Sequence, residues 1–235
     1  AELFDKIVGL NGHAVVQGYG GKLPDWRQIM VQAKATPGVL TAIPLIEQPL
    51  MASYQGRVEG VLLRGMTVQD IRTNSAIQNK VLTGKLSELV PGSGNVAIGA
   101  RLADELGAQV GGSISLISPD GQTTPFGSVP RIVSYRVAAI FEVGVYDYDK
   151  SFVIMPIEDA QTLLLLGDSV GMVELDTIDP DKVGAILAPL AASVGDRAVI
   201  SDWRSMNASL FEALAVDRVV SFVILSLIIL VAAFN

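Results

Sequence analysis

Residues 39–66 read VLTAIPLIEQPLMASYQGRVEGVLLRGM, two strand-like runs with a short break between them. The stretch before them, PDWRQIMVQAKA (24–35), begins with a proline and has the apolar spacing of a helix. Its apolar face carries four residues: Trp26, Ile29, Met30 and Ala33. HAVVQGY (13–19) reads as a further strand ahead of this helix. The order predicted for this part of the chain is therefore β-α-β-β.

A similar order recurs towards the end of the sequence. SFVIMP (151–156) and GMVELDTI (171–178) read as strands, with the helical stretch IEDAQTLLLLG (157–167) between them. The next helix carries four apolar residues at helical spacing: Val183, Ile186, Leu187 and Leu190. Pro189 is expected to shorten this helix, because proline lacks the backbone N–H that a helix interior uses. RAVISD (197–202) closes the group as a strand.

The stretch between these two groups, residues 72–145, is richer in glycine and in strand pattern. It includes NVAIGARLADELG, GGSISLISP and RIVSYRVAAIFEVG. We therefore predict an α+β fold of two parts. Residues 9–71 and 146–202 form a discontinuous α/β part, and residues 72–145 form a β-rich part inserted into it.

Both ends of the sequence carry apolar helical patterns. After Arg218 the sequence reads VVSFVILSLIILVAAFN, which contains no charged residue. A membrane-spanning helix needs about 20 such residues, and a buried core helix, the alternative, would normally show a polar stripe. We predict one helix over residues 203–235, a stalk that runs into a truncated transmembrane span. Residues 1–8 are expected to be the membrane-proximal end of a first helix.

Charge and composition exclude several classes of function. The formal net charge is −7, and the 17 basic residues are scattered, so nucleic acid is not an expected partner. The absence of cysteine excludes disulfides and thiolate catalysis. The phosphate-binding pattern G-x-x-x-x-G-K-[S/T] does not occur, and GSGNVA (92–97) leads into a strand-like run, so we interpret it as a plain turn.

The residues that could support catalysis or bind a metal are few. His13 is the only histidine, and we interpret it as a surface or turn residue. Asp176, Asp179 and Asp181 lack the spacing of a calcium loop and are expected to cap the helix that follows them. YDYDK (146–150) is interpreted as a solvated turn. The sequence thus predicts no catalytic residues, no metal and no cofactor, and the chain is not expected to be an enzyme.

One stretch does not read as an ordinary turn. TTPFGSVPR (123–131) lies between two strand patterns and places Phe126 between a proline and a glycine. The connection, residues 119–131, is longer than a usual hairpin loop, and we call it the arm. Three prolines stiffen it: Pro119, Pro125 and Pro130. A stiff arm with an apolar tip suits a partner's hydrophobic groove, while the alternative is that Phe126 packs on its own domain.

Several stretches resemble the periplasmic domain of the LolC/LolE lipoprotein-releasing permeases, which are MacB-like ABC transporters. They are GLNGHAVV, GVLLRGM, AIGARLADELG, TPFGSVP, and WRSMNASLFEAL leading into LSLIILVAAFN. The resemblance implies a permease of the bacterial inner membrane with this domain in the periplasm. In the family, two permease subunits pair with two copies of the cytoplasmic ATPase LolD. The complex extracts lipoproteins from the membrane and passes them to the periplasmic chaperone LolA.

The resemblance also implies a site and a division into subdomains. The arm matches the protruding hook by which LolC-type members bind LolA, with these residues: Thr124, Pro125, Phe126, Gly127, Ser128, Val129 and Pro130. Arg131 and Arg136 are the candidates for a supporting basic pad. The discontinuous part corresponds to the family's Porter subdomain and the inserted part to its Sabre subdomain. A hybrid that combines the LolC and LolE roles is a further form that this sequence fits.

Two other functions stay open from the sequence. A MacB-like exporter of peptides, drugs or toxins would share the architecture but would have no need of a chaperone-binding hook. A membrane-anchored structural module, such as a cell-division scaffold of the same superfamily, would need no cargo. The arm distinguishes the first alternative, and the genes beside the partner ATPase distinguish the second.

Overall fold

A computed structural model describes residues 12–124 and 127–202, together with Ser205. The predicted membrane-proximal end (1–8), the tip residues Pro125 and Phe126, and nearly all of the predicted stalk and span (203–235) lie outside the described residues. None of the helices within the described ranges combines the length and the hydropathy that crossing a membrane requires.

Strands and helices alternate along the described residues. The strands are β1 (Ala14–Gly18), β2 (Val39–Tyr54), β3 (Arg57–Met66), β4 (Val81–Gly84), β5 (Asn95–Gly99), β6 (Ser113–Thr124), β7 (Gly127–Phe141), β8 (Phe152–Pro156), β9 (Met172–Thr177) and β10 (Ala198–Asp202). The helices are α1 (Trp26–Ala35), α2 (Val68–Thr73), α3 (Ser75–Gln78), α4 (Ala100–Leu106), α5 (Tyr146–Ser151), α6 (Ile157–Leu164) and α7 (Val183–Val194). The order of elements predicted for both ends of this region is confirmed.

The described strands belong to one sheet. Its order is β10-β1-β9-β2-β3-β8-β5-β7-β4, and β6 pairs with both β2 and β7. Six strands, β2, β3, β8, β5, β7 and β6, therefore pair in a closed circuit. The pairs β3–β8 and β5–β7 are parallel, and the other four are antiparallel. The predicted inserted part is joined to the α/β part through two of these pairings, β2–β6 and β5–β8.

Apolar side chains fill the space between the sheet and its helices. All five residues of β8 are buried, as expected for a central strand that pairs with β3 on one side and β5 on the other. One buried cluster consists of Leu45, Met66, Ile71, Ile77, Leu86, Leu89, Ala97, Ala138, Ala139, Phe141, Val143, Phe152 and Ile154. Helix α6 packs closely on β3 because Gly65 has no side chain: a Cβ there would lie 2.5 Å from the Cβ of Ala160. This close packing positions the end of α6 beside the candidate site.

Residues 146–150 do not form the solvated turn that we predicted. They lie in helix α5, and Asp149 is buried, with 1% of the residue exposed. Its carboxylate is therefore removed from solvent. It accepts hydrogen bonds from the backbone N–H groups of Val143 at 2.7 Å and Gly144 at 3.0 Å. The sequence YDYDK has no apolar periodicity that would predict a helix. The carboxylate instead stabilises the turn before the helix by satisfying two amides that burial would otherwise leave unpaired.

Replacing Asp149 with alanine should therefore destabilise the fold. Loss of one charged acceptor from two amides should lower the free energy of unfolding by about 2–4 kcal/mol. Asp147 lies on the same helix with an exposed side chain, so Asp147→Ala should change the free energy by less than about 0.5 kcal/mol. Urea unfolding of both variants measures the difference, and equal stabilities would contradict the assignment.

The expectation that Pro189 shortens its helix is wrong. Helix α7 continues from Val183 to Val194 with Pro189 inside it. Proline removes one hydrogen bond of the helix, to the carbonyl four residues earlier. Leu187 before the proline and Leu190 and Val194 after it are buried in the core, and their packing stabilises the helix despite this loss.

Candidate functional site

The arm is a continuation of the β6–β7 hairpin. The pairing runs from Ser113 with Arg136 to Ser118 with Arg131, and the last described pair is Thr124 with Gly127. The interpretation of residues 119–131 as a loop between two strands is therefore wrong, because both strands continue through it. Pairing tolerates Pro119 and Pro130 because the ladder is interrupted between the Ser118–Arg131 and Gln122–Val129 pairs, where both of them lie.

The base of the arm contains a register shift. From Ser118 to Gln122, β6 advances four residues, while β7 advances two, from Arg131 to Val129. Pro119 and Pro130 lie in this stretch, and neither has an N–H to donate, which accounts for the irregular pairing. Strand β2 pairs with β6 only at residues 115–117, before the shift. Beyond the shift, β7 contributes three paired residues, 127–129, which span about 10 Å at about 3.3 Å each.

Apolar side chains are exposed on the arm and beside it. Val129 is 54% exposed, and Ile132, one residue past the end of the arm, is also exposed. Ile132 pairs with Ile117, which pairs in turn with the exposed Met51 of β2, so these three form a row across the sheet. A continuous exposed apolar surface is typical of a protein-binding site.

The two basic residues proposed for the pad differ in availability. The guanidinium of Arg136 lies 2.8 Å from the carboxylate of Glu88, and both side chains are partly exposed. Arg131 has no hydrogen-bond or ion-pair partner among the described residues, and its Nε atom is buried without an acceptor. The structure thus separates two residues that the sequence could not distinguish. Arg131 is available for a partner's carboxylate, whereas Arg136 already has one.

Arg131 lines an open groove between the arm and the end of α6. The groove has a volume of about 350 Å³, and its other lining residues are Gln161, Thr162, Leu165 and Gly167. Tyr135 lies on β7 near Arg131, and its pKa is raised to about 12, chiefly by burial and also by the charge of Asp159, while the charge of Arg131 opposes the rise. The phenol is therefore neutral at physiological pH. This arrangement offers a cation for recognition of an acidic group, and it offers no activated nucleophile.

Sequence reasoning did not identify Leu165. It follows α6 directly, has a positive φ of 56°, and is 47% exposed. The available signal was the run LLLLG (163–167), since a helix that packs on a sheet by one face cannot bury four consecutive leucines.

His13 has a structural role at the start of β1. Its Nδ1 atom accepts a hydrogen bond from the backbone N–H of Thr177 at 3.0 Å and lies 3.2 Å from the hydroxyl of the same residue. The ring is partly buried. Its contacts link the start of β1 to the end of β9. His13 lies in a bend, as the prediction of a surface or turn histidine has it, but that prediction did not include these contacts.

The aspartates near residue 179 act locally. Asp179 accepts a hydrogen bond from the N–H of Asp181 at 2.9 Å and caps the short 3₁₀ helix Pro180–Lys182, so the capping prediction is confirmed for this residue. Asp176 accepts a hydrogen bond from the hydroxyl of Thr41 at 2.7 Å instead. In the part of the chain that the structure describes, no group of three or more His, Cys, Asp or Glu residues could hold a metal ion.

Comparison with known proteins identifies related chains. The family described as MacB-like periplasmic core domain matches residues 5–193. The chain is 33% identical over 235 residues to the lipoprotein-releasing system transmembrane protein LolC of Neisseria meningitidis serogroup B. The match covers 100% of this chain and 57% of that protein. The chain is 31% identical over 234 residues to LolC of Xylella fastidiosa strain Temecula1, covering 100% and 56% respectively. The chain thus spans just over half the length of these curated relatives, and the resemblance predicted from the sequence is confirmed.

Two solved structures share the fold. One is the extracellular domain of the noncanonic ABC-type transporter YknZ from Gram-positive bacteria, with a TM-score of 0.54 and 12% identity, covering 80% of this chain and 100% of that one. The other is the periplasmic region of MacB from Actinobacillus actinomycetemcomitans, with a TM-score of 0.51 and 11% identity, covering 89% and 98%. The low identities limit these two likenesses to the fold.

Proposed function

The chain belongs to the family of MacB-like periplasmic core domains, and we propose that it is the periplasmic domain of a LolC-type permease subunit. That permease takes lipoproteins from the bacterial inner membrane and passes them to the periplasmic chaperone LolA. The observation that carries the proposal is the match to LolC proteins along the whole of this chain. The domain performs no catalysis, and ATP hydrolysis belongs to a cytoplasmic ATPase partner, LolD.

The arm is the proposed docking site for LolA. Its strands pair as far as Thr124 and Gly127, which supports a stiff projection in place of a flexible loop. Val129 presents an exposed apolar side chain, and Phe126 is the proposed tip contact. A preorganised arm loses little conformational entropy when it binds, which favours affinity.

Arg131 is the proposed basic contact beside the arm. It has no partner among the described residues, and it lines the groove at the arm's base. An acidic side chain of LolA would satisfy the guanidinium. Arg136 is the weaker candidate because its guanidinium already forms an ion pair with Glu88.

The remaining parts of the proposal follow from the family. Residues 203–235 form the stalk and membrane span, and a second permease subunit, the same or related, pairs with this one. Residues 9–71 with 146–202 act as the Porter-like part, and residues 72–145 act as the Sabre-like part that carries the arm. The second candidate is a MacB-like exporter, which the likeness to the MacB periplasmic region favours at the level of fold. Binding to LolA distinguishes the two.

The test is the affinity of the complete chain for purified LolA. Arg131→Ala should weaken binding about tenfold, because truncation leaves the partner's carboxylate unpaired. Arg136→Ala, the matched control, should change affinity less than about twofold, since it removes a residue that pairs within the domain. Titration calorimetry at low and high salt measures both.

Two outcomes would contradict these assignments. If the wild-type chain does not bind LolA, the chaperone-docking proposal fails, and the MacB-like exporter becomes the favoured function. If wild-type binding is intact but the two arginine variants lose affinity equally, the proposal for Arg131 alone fails.

A further inference from the structure

Helix α6 ends in a conformation that normally requires glycine. Leu165, the residue after the helix, has a φ of 56°, and its N–H donates to the carbonyl of Gln161. The N–H of Leu166 donates to the same carbonyl at 3.0 Å. This hydrogen-bonding pattern is a common helix end in which glycine usually occupies the left-handed position, because any side chain there is strained.

The strain at Leu165 is not offset by burial. The side chain of Leu163, two residues earlier, is buried in the core, whereas that of Leu165 is 47% exposed. Glycine would end the helix with less strain and would leave less apolar surface in water. Strained residues that local folding does not require are concentrated at functional sites. The leucine is thus better explained by a contact that its side chain makes outside this domain.

Leu165 lies between two grooves. One is the groove at the base of the arm, lined by Arg131, and the other has a volume of about 340 Å³ and is also lined by Gly20, Gly21 and Lys22. Each groove contains one basic residue, and the second is also lined by Glu47, whose carboxylate is engaged by Arg64 at 3.3 Å. Neither Arg131 nor Lys22 forms an ion pair with any residue that the structure describes.

We propose that Leu165 is a docking residue for the protein that receives the arm. Its side chain packs against an apolar side chain of that partner, and acidic side chains of the partner enter the two grooves towards Arg131 and Lys22. The charges of Arg131 and Lys22, which form no ion pair within the described part of the chain, and the apolar ridge between them define this chemistry. The proposal rests on the proposed function, in which the partner is the chaperone LolA, and it extends the docking surface from the arm onto helix α6.

Leu165→Gly separates a docking role from a structural one. The substitution removes the side chain and also relieves the left-handed strain, so the melting temperature should stay the same or rise by about 2 °C. The affinity of the complete chain for LolA should nevertheless fall about tenfold. Gln55→Gly is the matched control, because Gln55 is also a non-glycine residue with a positive φ, 48°. It lies in the β2–β3 turn, about 26 Å along β2 from Glu47 of the second groove, and its substitution should leave affinity unchanged.

The outcomes are distinguishable. Wild-type binding to LolA with no loss for Leu165→Gly overturns this inference and leaves the proposed function intact, whereas no wild-type binding overturns both. A melting temperature lower by several degrees assigns Leu165 to folding and also overturns it, as does an equal loss of affinity for Gln55→Gly. A wild-type dimer that Leu165→Gly converts to a monomer would identify a second copy of the chain as the occupant, against the proposal.

Discussion

Replacing Arg64 with methionine should lower the free energy of unfolding by about 3–5 kcal/mol. The side chain of Arg64 is only 3% exposed, and its Nε atom lies 3.3 Å from the carboxylate of Glu47. Its terminal nitrogen lies 3.1 Å from the carboxylate of Glu174, which is also largely buried. The three residues occupy the neighbouring strands β3, β2 and β9. Without the guanidinium, two carboxylates remain on one face of the sheet with their cation removed.

The loss should depend on pH. Burial raises the pKa of Glu174 above its ordinary value, and the charge of Arg64 opposes that rise. Removing Arg64 should therefore raise this pKa further. A folded-state pKa above that of the unfolded chain means that the folded protein binds the proton more tightly. Stability therefore falls as the pH rises from the unfolded-state pKa through the folded-state pKa of Glu174. The difference between variant and wild type should be largest near pH 8 and smaller near pH 5.

Urea unfolding at both pH values measures this difference. Adding Glu47→Gln and Glu174→Gln to Arg64→Met should recover much of the lost stability, because no uncompensated charge then remains. Arg136→Ala breaks a partly exposed ion pair with Glu88 and should cost less than about 1 kcal/mol. A loss for Arg64→Met as small as that of Arg136→Ala would show that the buried network contributes little.

Local pattern predicted much of this fold, because helical spacing and strand runs depend on neighbouring residues. The β-α-β-β order before residue 67 and the alternation after residue 151 were both obtained in this way. The pairing of β2 with β6 and of β5 with β8 could not be predicted, since it joins segments more than 50 residues apart. The length of the arm's strands was missed because Pro119 reads as a loop residue, although a register shift accommodates it.

The candidate site shows a similar limit. The sequence located the arm and identified Arg131 and Arg136 as candidates. It could not show that Glu88, 48 residues before Arg136, forms an ion pair with Arg136 and not with Arg131. Leu165 was missed because its backbone conformation, and not its chemical type, sets it apart. Partner assignment and backbone strain both depend on tertiary structure, which a local pattern does not contain.

Among the alanine substitutions on this surface, Phe126→Ala should produce the largest loss of LolA binding, roughly 30- to 1,000-fold, or about 2–4 kcal/mol. Phe126 itself lies outside the described residues, but Thr124 and Gly127 on either side of it are paired. The connection that carries it is therefore held at both ends. A large aromatic ring that enters a partner's groove is fully desolvated on binding, and such aromatics carry much of the binding energy of an interface. Calorimetry with LolA and thermal unfolding of the same variant are the two measurements.

Three further substitutions separate the ring's contact from the stiffness of the arm. Phe126→Asp should weaken binding more than alanine does, because it places an unpaired charge in an apolar groove. Pro125→Gly should weaken binding less, since it loosens the arm and removes no ring. Val129→Ala removes a smaller exposed side chain and should cost about fivefold in affinity. If Phe126→Ala lowers the melting temperature while LolA binding is intact, the ring packs on its own domain, and the arm is not the chaperone's docking site.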